Sequence, residues 1–305
     1  MPDYDNLLDD EVRAFIARTS EFYPPDAVDL SIAEQRAVYD RMCAAFEVPY
    51  PPGVAAEDME YGGVPCRLYT PKVAGEATIF FCHGGGFVVG GLHSHDSACA
   101  EMAEAAGSRL VAVDYRMSPE HPFPDDFNDA WAAFEAVCEA YAGRIVLCGD
   151  SAGGNLVAAI AHHARGRRDG RIAGQVLIYP GLGGARDLPS YSVHAEAPGL
   201  TARDIDFYFA LRTAGADVAQ DPRCAPLADT DFAGLPPTLV VTAECDPLSS
   251  EGEAYAAAIT DAGGQAQWIE EPGLIHGYLR ARHMSAKAAA SFSRITAALR
   301  DMAGG

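Results

Sequence analysis

The chain has almost no lysine. Of its 22 basic residues only Lys72 and Lys287 are lysines, against 43 acidic residues and a formal net charge of −21. A charge balance that negative argues against nucleic acid or an anionic membrane surface as a partner. Two readings of the bias stay open, genome composition and adaptation to salty surroundings, where acidic surfaces keep proteins dissolved. No uninterrupted apolar run approaches 18 residues, so no membrane-spanning helix is expected. No CxxC occurs among the eight scattered cysteines, and the closest pair, Cys138 and Cys148, is ten positions apart. That spacing disfavours a zinc site and leaves buried, reduced thiols as the expectation. The opening MPDYDNLLDDEVR is acidic where an export signal would be basic and then apolar, so a cytoplasmic location is expected. There is also no internal repeat and no low-complexity tract.

What is present is a clear order of elements. Leu8, Val12, Phe15 and Ile16 recur at helical spacing. Ser31-Ile32-Ala33-Glu34 reads as a capping box that starts a second helix reaching about Phe46, and Pro51-Pro52-Gly53 ends the segment. Beyond it the pattern changes to short apolar runs separated by helices. Strands are expected at 64–69, 78–82, 109–115, 144–148, 175–179, 238–242 and 265–269, with helices near 125–140, 153–166, 250–262 and 285–302. Nearly all-apolar strands alternating with helices imply an α/β fold whose mostly parallel sheet is covered on both faces. Residues 181–236 interrupt the alternation, with a helix near 201–213, and an excursion of that length reads as a lid or cap.

Two glycine-rich stretches carry chemistry. Gly149-Asp150-Ser151-Ala152-Gly153 follows the apolar strand RIVLC and opens a helix. A serine on such a turn stands at the end of the sheet with its hydroxyl exposed, beside early helical N–H groups. The plainer reading is a glycine-rich turn with a capping serine. His83-Gly84-Gly85-Gly86-Phe87 follows the strand TIFFC. Side-chain-free N–H groups there, those of Gly84 and Gly85, together with that of Ala152, would hold an oxyanion. A flexible loop or a phosphate cradle is the competing reading, and the missing Lys-Ser/Thr excludes a P-loop. The pair of motifs, each after its own strand, points to a serine hydrolase.

HGGGF at 83–87, DYRMSPEHPFP at 114–124, GDSAGG at 149–154, DPL at 246–248 and HGY at 276–278 together closely resemble the hormone-sensitive-lipase-like (bacterial family IV) esterases of the α/β-hydrolase superfamily. The resemblance covers most of the chain. It implies an eight-stranded, mostly parallel sheet with helices on both faces and a helical cap. The cap would be built from residues 1–50 and the insertion at about 181–236, with the catalytic domain at 51–305. A serine triad must follow in the order acid, then histidine. Asp246, beyond the strand TLVVT and in the family's Asp-Pro-Leu position, is the expected acid, with Glu244 as its rival. His276, in the His-Gly-aromatic position, is the expected base, and His283 lies in a helical stretch. The tandem His162-His163 reads as structural, and His93-Ser94-His95-Asp96 as a helix entry supporting the glycine loop. No metal and no cofactor are expected.

Ser249 and Ser250 after the DPL motif and Tyr278 in the HGY motif depart from common family choices and are expected near the pocket. Phe87, Phe207, Tyr208 and Phe209 are expected to line it. Arg165, Arg167, Arg168 and Arg171 read as a solvated helix end. The expected activity is that of a serine carboxylesterase acting on small, neutral, short-chain esters through an acyl-enzyme. An amidase or arylformamidase on the same machinery, or a non-catalytic ligand receptor on the fold, are the alternatives. The oligomeric state stays open, a homodimer included.

Overall fold

Gly62 and Gly63 take φ of 61° and 80°, and two successive positive φ angles make the turn that best matches the twist of a hairpin. They join β1 (Ala55–Tyr61) to β2 (Val64–Thr70) at the edge of the sheet. In the computed structural model, which describes residues 2–24, 27–168 and 170–304, six more strands follow. These are β3 (Thr78–Cys82), β4 (Arg109–Val113), β5 (Ile145–Asp150), β6 (Ile172–Ile178), β7 (Thr238–Cys245) and β8 (Ala266–Ile275). Their order is β1-β2-β4-β3-β5-β6-β7-β8. Only β2 runs against the rest. Seven of the eight strands coincide with apolar runs. β1, AAEDMEY, is exposed along all but its last residue, so its sequence carries no apolar signal.

Residues of the inner strands alternate between two cores. Ile79, Phe81, Val146, Cys148, Val176 and Ile178 face one side. There they meet α4 (Asp96–Ala106) and α10 (Ala286–Gly304). Phe80, Cys82, Ile145, Leu147 and Leu177 face the other side. They pack on α5 (Asp125–Ala140), α6 (Ala152–Ala164) and α9 (Ser249–Asp261). Burying one such large side chain contributes about 1.5–3 kcal/mol, which is why both faces demand cover. The N-terminal α1 (Tyr4–Leu7), α2 (Asp10–Ser20) and α3 (Ile32–Ala44) are not a separate lobe. Leu8, Val12 and Phe15 join the first core, and Ser31 and Glu34 form both bonds of the capping box. The excursion holds the short α7 (Pro189–Val193) and α8 (Ala202–Thr213). It meets the N-terminal helices through Tyr23–Tyr208 and Tyr4–His194 hydrogen bonds of 3.3 and 3.1 Å.

Three of the four arginines after α6 are a correction to the sequence reading; the exposed Arg167 donates to the His163 carbonyl, as a solvated helix end does. Arg165 binds Asp229 of the excursion, Arg168 binds Glu135, and Arg171 donates to the carbonyls of Cys138, Tyr141 and Ala142. Guanidinium groups are used here as ties between elements because their fork of donors reaches several acceptors at once.

A fourth arginine fastens the excursion to the sheet layer. Arg212 of α8 is 1% exposed and donates to Asp126 at 2.7 Å, to Asn155 at 3.0 Å and to the Cys224 carbonyl at 3.1 Å. Its guanidinium also stacks on Phe87, 3.6 Å from the ring centre. Removing one member of a buried ion pair strands the other charge. Arg212→Ala should therefore lower unfolding free energy by about 3–5 kcal/mol in urea titrations, and pairing Arg212→Met with Asp126→Leu should recover most of it. A single-variant loss under about 1 kcal/mol would show that the pair does not hold the excursion down.

His83 sets a second stability expectation. It is 2% exposed, stacked on Tyr115, and its Nδ1–H donates to the Gly84 carbonyl while Nε2 has no partner. Burial, with His95 nearby, holds its imidazole down to about 4 from the ordinary 6.5. The unfolded chain takes up this proton first as pH falls. The stabilisation is thus complete above about pH 6.5 and is lost on descent towards pH 4, by up to about 3 kcal/mol. Against the wild type, His83→Gln should show a shallower loss of unfolding free energy over that window. An unchanged slope would assign the pH dependence to other groups.

Candidate active site

β5 ends at Asp150 and α6 begins at Ala152, which leaves Ser151 alone on the turn. Its φ of 52° and ψ of −117° are strained for a non-glycine residue, a cost of about 1–3 kcal/mol that surrounding contacts must sustain. They do so from both sides. The Ser151 N–H donates to the Ile178 carbonyl at 2.9 Å. A Cβ on Gly153 would lie 1.9 Å from the Cys82 carbonyl oxygen, so only glycine lets α6 approach β3 this closely.

Ser151, His276 and Asp246 meet in one hydrogen-bonded chain. Ser151 Oγ–H points to His276 Nε2 at 2.9 Å, and His276 Nδ1–H donates to Asp246 Oδ2 at 2.7 Å. Asp246 is fully buried, and its other oxygen accepts the Leu248 N–H at 2.9 Å. The Tyr179 ring packs against the imidazole at 4.8 Å. Glu244 does not join this chain; its carboxylate accepts the Gly273 N–H at 2.6 Å. His283 also lies outside it, paired with Glu101.

The glycine loop brings one correction. Gly84 N–H donates to Asp150 Oδ1 at 2.8 Å and is therefore unavailable to an oxyanion. Among the described residues no partner accepts from the N–H groups of Gly85, Gly86 or Ala152. Gly86, not Gly84, thus stands beside Gly85 and Ala152 as a free donor at this turn. Asp150 itself was invisible as a functional position in the sequence. Burial would push its carboxyl up, but His95 and the Gly84 N–H hold it below the usual carboxylate range. His95 Nε2 approaches it at 3.3 Å, and Ser94 Oγ meets the other ring nitrogen at 2.8 Å. The His-Ser-His-Asp stretch does sit at the entry to α4, with His93 turned away to Asp40. Among the described residues, no three His, Cys, Asp or Glu side chains are placed to share a metal ion.

Ser151 lies between two cavities. The larger, about 780 Å³, is lined near the serine by Phe87, Ala152, Ile205, Tyr208 and Phe209. The smaller, about 400 Å³, holds His276, Gly85, Gly86 and Tyr39. Phe207 lines neither and packs on Tyr208, because successive residues of a helix point in different directions. Ser249, Ser250 and Tyr278 also miss both cavities. Ser249 binds Glu270, Ser250 caps Ser190, and Tyr278 binds Ser291. Seven cysteines are buried, Cys138 is half-buried, and all are free thiols.

A family model described as alpha/beta hydrolase fold matches residues 79–280. Carboxylesterase NlhH of Mycobacterium tuberculosis is 37% identical over 248 residues, which is 78% of this chain and 78% of that protein. Carboxylic ester hydrolase LipN of the same organism is 34% identical over 317 residues, 97% of this chain and 83% of that protein. Among solved structures, the chain is similar to an ester hydrolase from the metagenome of Lake Arreo. The TM-score is 0.89 and the identity 30%, over 98% of this chain and all of that one. It is equally similar to the hyperthermophilic esterase of Pyrobaculum calidifontis, with a TM-score of 0.89 and 30% identity over 98% and 99% of the two chains. No helix among the described residues is long and apolar enough to cross a membrane. The sheet order, the serine elbow and these relatives lead to one conclusion: the chain belongs to the hormone-sensitive-lipase-like esterases of the α/β-hydrolase superfamily and is a carboxylic ester hydrolase.

Proposed function

We propose that the protein hydrolyses short-chain carboxylic esters through Ser151, His276 and Asp246, with an acyl-enzyme intermediate. The observation that carries this reading is the Ser151–His276–Asp246 chain ending beside three uncommitted N–H groups. His276 Nε2 takes the Ser151 proton as Oγ attacks the ester carbonyl, and Asp246 orients and stabilises the imidazolium. Gly85, Gly86 and Ala152 donate to the oxyanion of the tetrahedral intermediate. Its collapse expels the alcohol, which takes the proton from His276, and a water activated by the same imidazole then releases the acid.

The imidazole faces the smaller cavity, so the leaving alcohol occupies that side and the acyl group the larger one. Beyond Phe87, Tyr208 and Phe209, the acyl cavity reaches Arg186 and Asp206, an ion pair whose side chains are 42% and 70% exposed. Each buried methylene contributes about 0.8 kcal/mol only while it meets apolar walls. A chain long enough to reach this charged rim gains nothing further. In this reading residues 1–50 and 181–236 act as the cap, supplying Phe15, Tyr23, Tyr208 and Phe209 to the cavity walls.

Ser151→Ala should lower kcat by about 10⁶ and abolish labelling by a fluorophosphonate probe, because a triad nucleophile has no partial substitute. Labelling of the variant at the parent rate would place the nucleophile elsewhere. With p-nitrophenyl esters, kcat/KM should peak at acyl chains of roughly two to six carbons and fall steeply beyond about ten. Efficient cleavage of emulsified long-chain triglyceride would overturn the short-chain assignment.

A further inference from the structure

Arg280 stands four residues beyond His276 and lines the same cavity. One guanidinium nitrogen occupies the space above Gly277, where a Cβ would lie 2.6 Å from it, so the glycine at 277 makes room for the charge beside the imidazole. Nη1 donates to Tyr39 Oη at 3.3 Å, and the group sits 5.6 Å from the Tyr39 ring centre. Nε is buried and has no partner, and Arg280 forms no salt bridge with any described residue. The other enclosed arginines differ. Arg212 faces Asp126, and Arg282 faces Glu101. In a chain with 43 acidic side chains, a sheltered guanidinium with no carboxylate in hydrogen-bonding reach is a position kept open.

The two carboxylates of the cavity are already committed. Asp150 accepts from Gly84 N–H and meets His95, and it acts on Arg280 only across space, without a hydrogen bond, while Asp204 accepts from Thr201 N–H and Oγ–H. The remaining walls are mostly apolar or aromatic, among them Phe15, Ile16, Tyr23, Met42 and Val89, with the neutral hydroxyls of Thr19, Ser20 and Thr201, and offer no anion. Such a cavity suits a flat or compact apolar body with one acceptor group at its end. Guanidinium prefers a carboxylate there, with which it forms charge-assisted, paired hydrogen bonds. Salt screens the chain's net negative charge beyond about 8 Å, so distant surface carboxylates do not cancel a guanidinium inside the cavity.

We infer that Arg280 makes the cavity beside His276 a recognition site for a carboxylate carried by the alcohol or phenol part of the ester. This rests on the proposed role of His276, which places the leaving group on that side. The preferred substrates are then esters of hydroxy acids acylated on the hydroxyl, in addition to neutral esters.

The test compares phenyl acetate with 3-acetoxybenzoate, which adds a carboxylate to the same leaving phenol, on the full-length protein. Arg280→Gln should lower the ratio of kcat/KM for 3-acetoxybenzoate to that for phenyl acetate about tenfold or more, mainly through KM, and Arg280→Lys should restore part of it. A merely structural arginine would lower both substrates together and leave the ratio unchanged, which would overturn the inference. A measurement on the wild type alone stands beside it. Here 3-hydroxybenzoate should inhibit phenyl acetate hydrolysis about tenfold more tightly than phenol does, and equal inhibition would overturn the inference even if the variants failed to fold. Absence of turnover on both esters by the wild type would remove the hydrolytic reading beneath it, and the inference with it.

Discussion

Ser151 is held in a backbone conformation that an isolated chain would leave, and most of the molecule is arranged around keeping it there. The turn sits after a central strand whose neighbours, β3 and β6, are parallel and fully enclosed, so the end of β5 cannot move without disturbing both cores. The Ile178 carbonyl fixes the serine N–H, and α6 closes against β3 through Gly153. The strained backbone sets Ser151 between β5 and α6, and the Ala152 N–H beside it has no partner among the described residues. A relaxed turn would give a capping serine, which was the plainer reading of the same residues.

One carboxylate links this elbow to the second half of the site. Asp150 precedes the serine, and it pins the first glycine of the HGGG loop while receiving His95 from the entry to α4. With Gly84 committed in this way, the next two N–H groups are left without a partner among the described residues. The loop therefore needs three glycines although only two of them present free donors to the proposed oxyanion. At Gly84 a Cβ would lie 2.5 Å from the Asp150 carboxylate, so the contact also excludes any other residue there.

Arginines do the corresponding work on the outer side. Arg212 secures α8 over the sheet through a buried carboxylate, and the residues just before it, Tyr208 and Phe209, are thereby placed against the proposed nucleophile. Among the described residues, the Arg280 side chain is held by Tyr39 alone and faces a cavity instead of a paired carboxylate. The same side-chain chemistry serves as a fastener where an acid is supplied and as a recognition group where none is.

Apolar runs marked the central strands, because enclosure on both faces demands apolar residues at successive positions, and alternation marked β2, which is covered on one face. They could not mark β1, whose pairing comes from the hairpin and not from its own composition. Local motifs likewise marked Ser151, His276 and Asp246, since a strand-to-helix turn and two strand-end loops leave their signature in neighbouring residues. Which glycine N–H groups stay free, which of three consecutive aromatic residues faces the cavity, and what Arg280 meets were not legible. Those outcomes depend on contacts between residues far apart in the chain: Gly84 with Asp150, Tyr208 with Gly86, Arg280 with Tyr39. Sequence by itself determined the order of most elements and the groups proposed to react, because both follow from short-range pattern. Tertiary structure decided which donors and charges remain unpaired, because a group is free only when every distant neighbour has been placed.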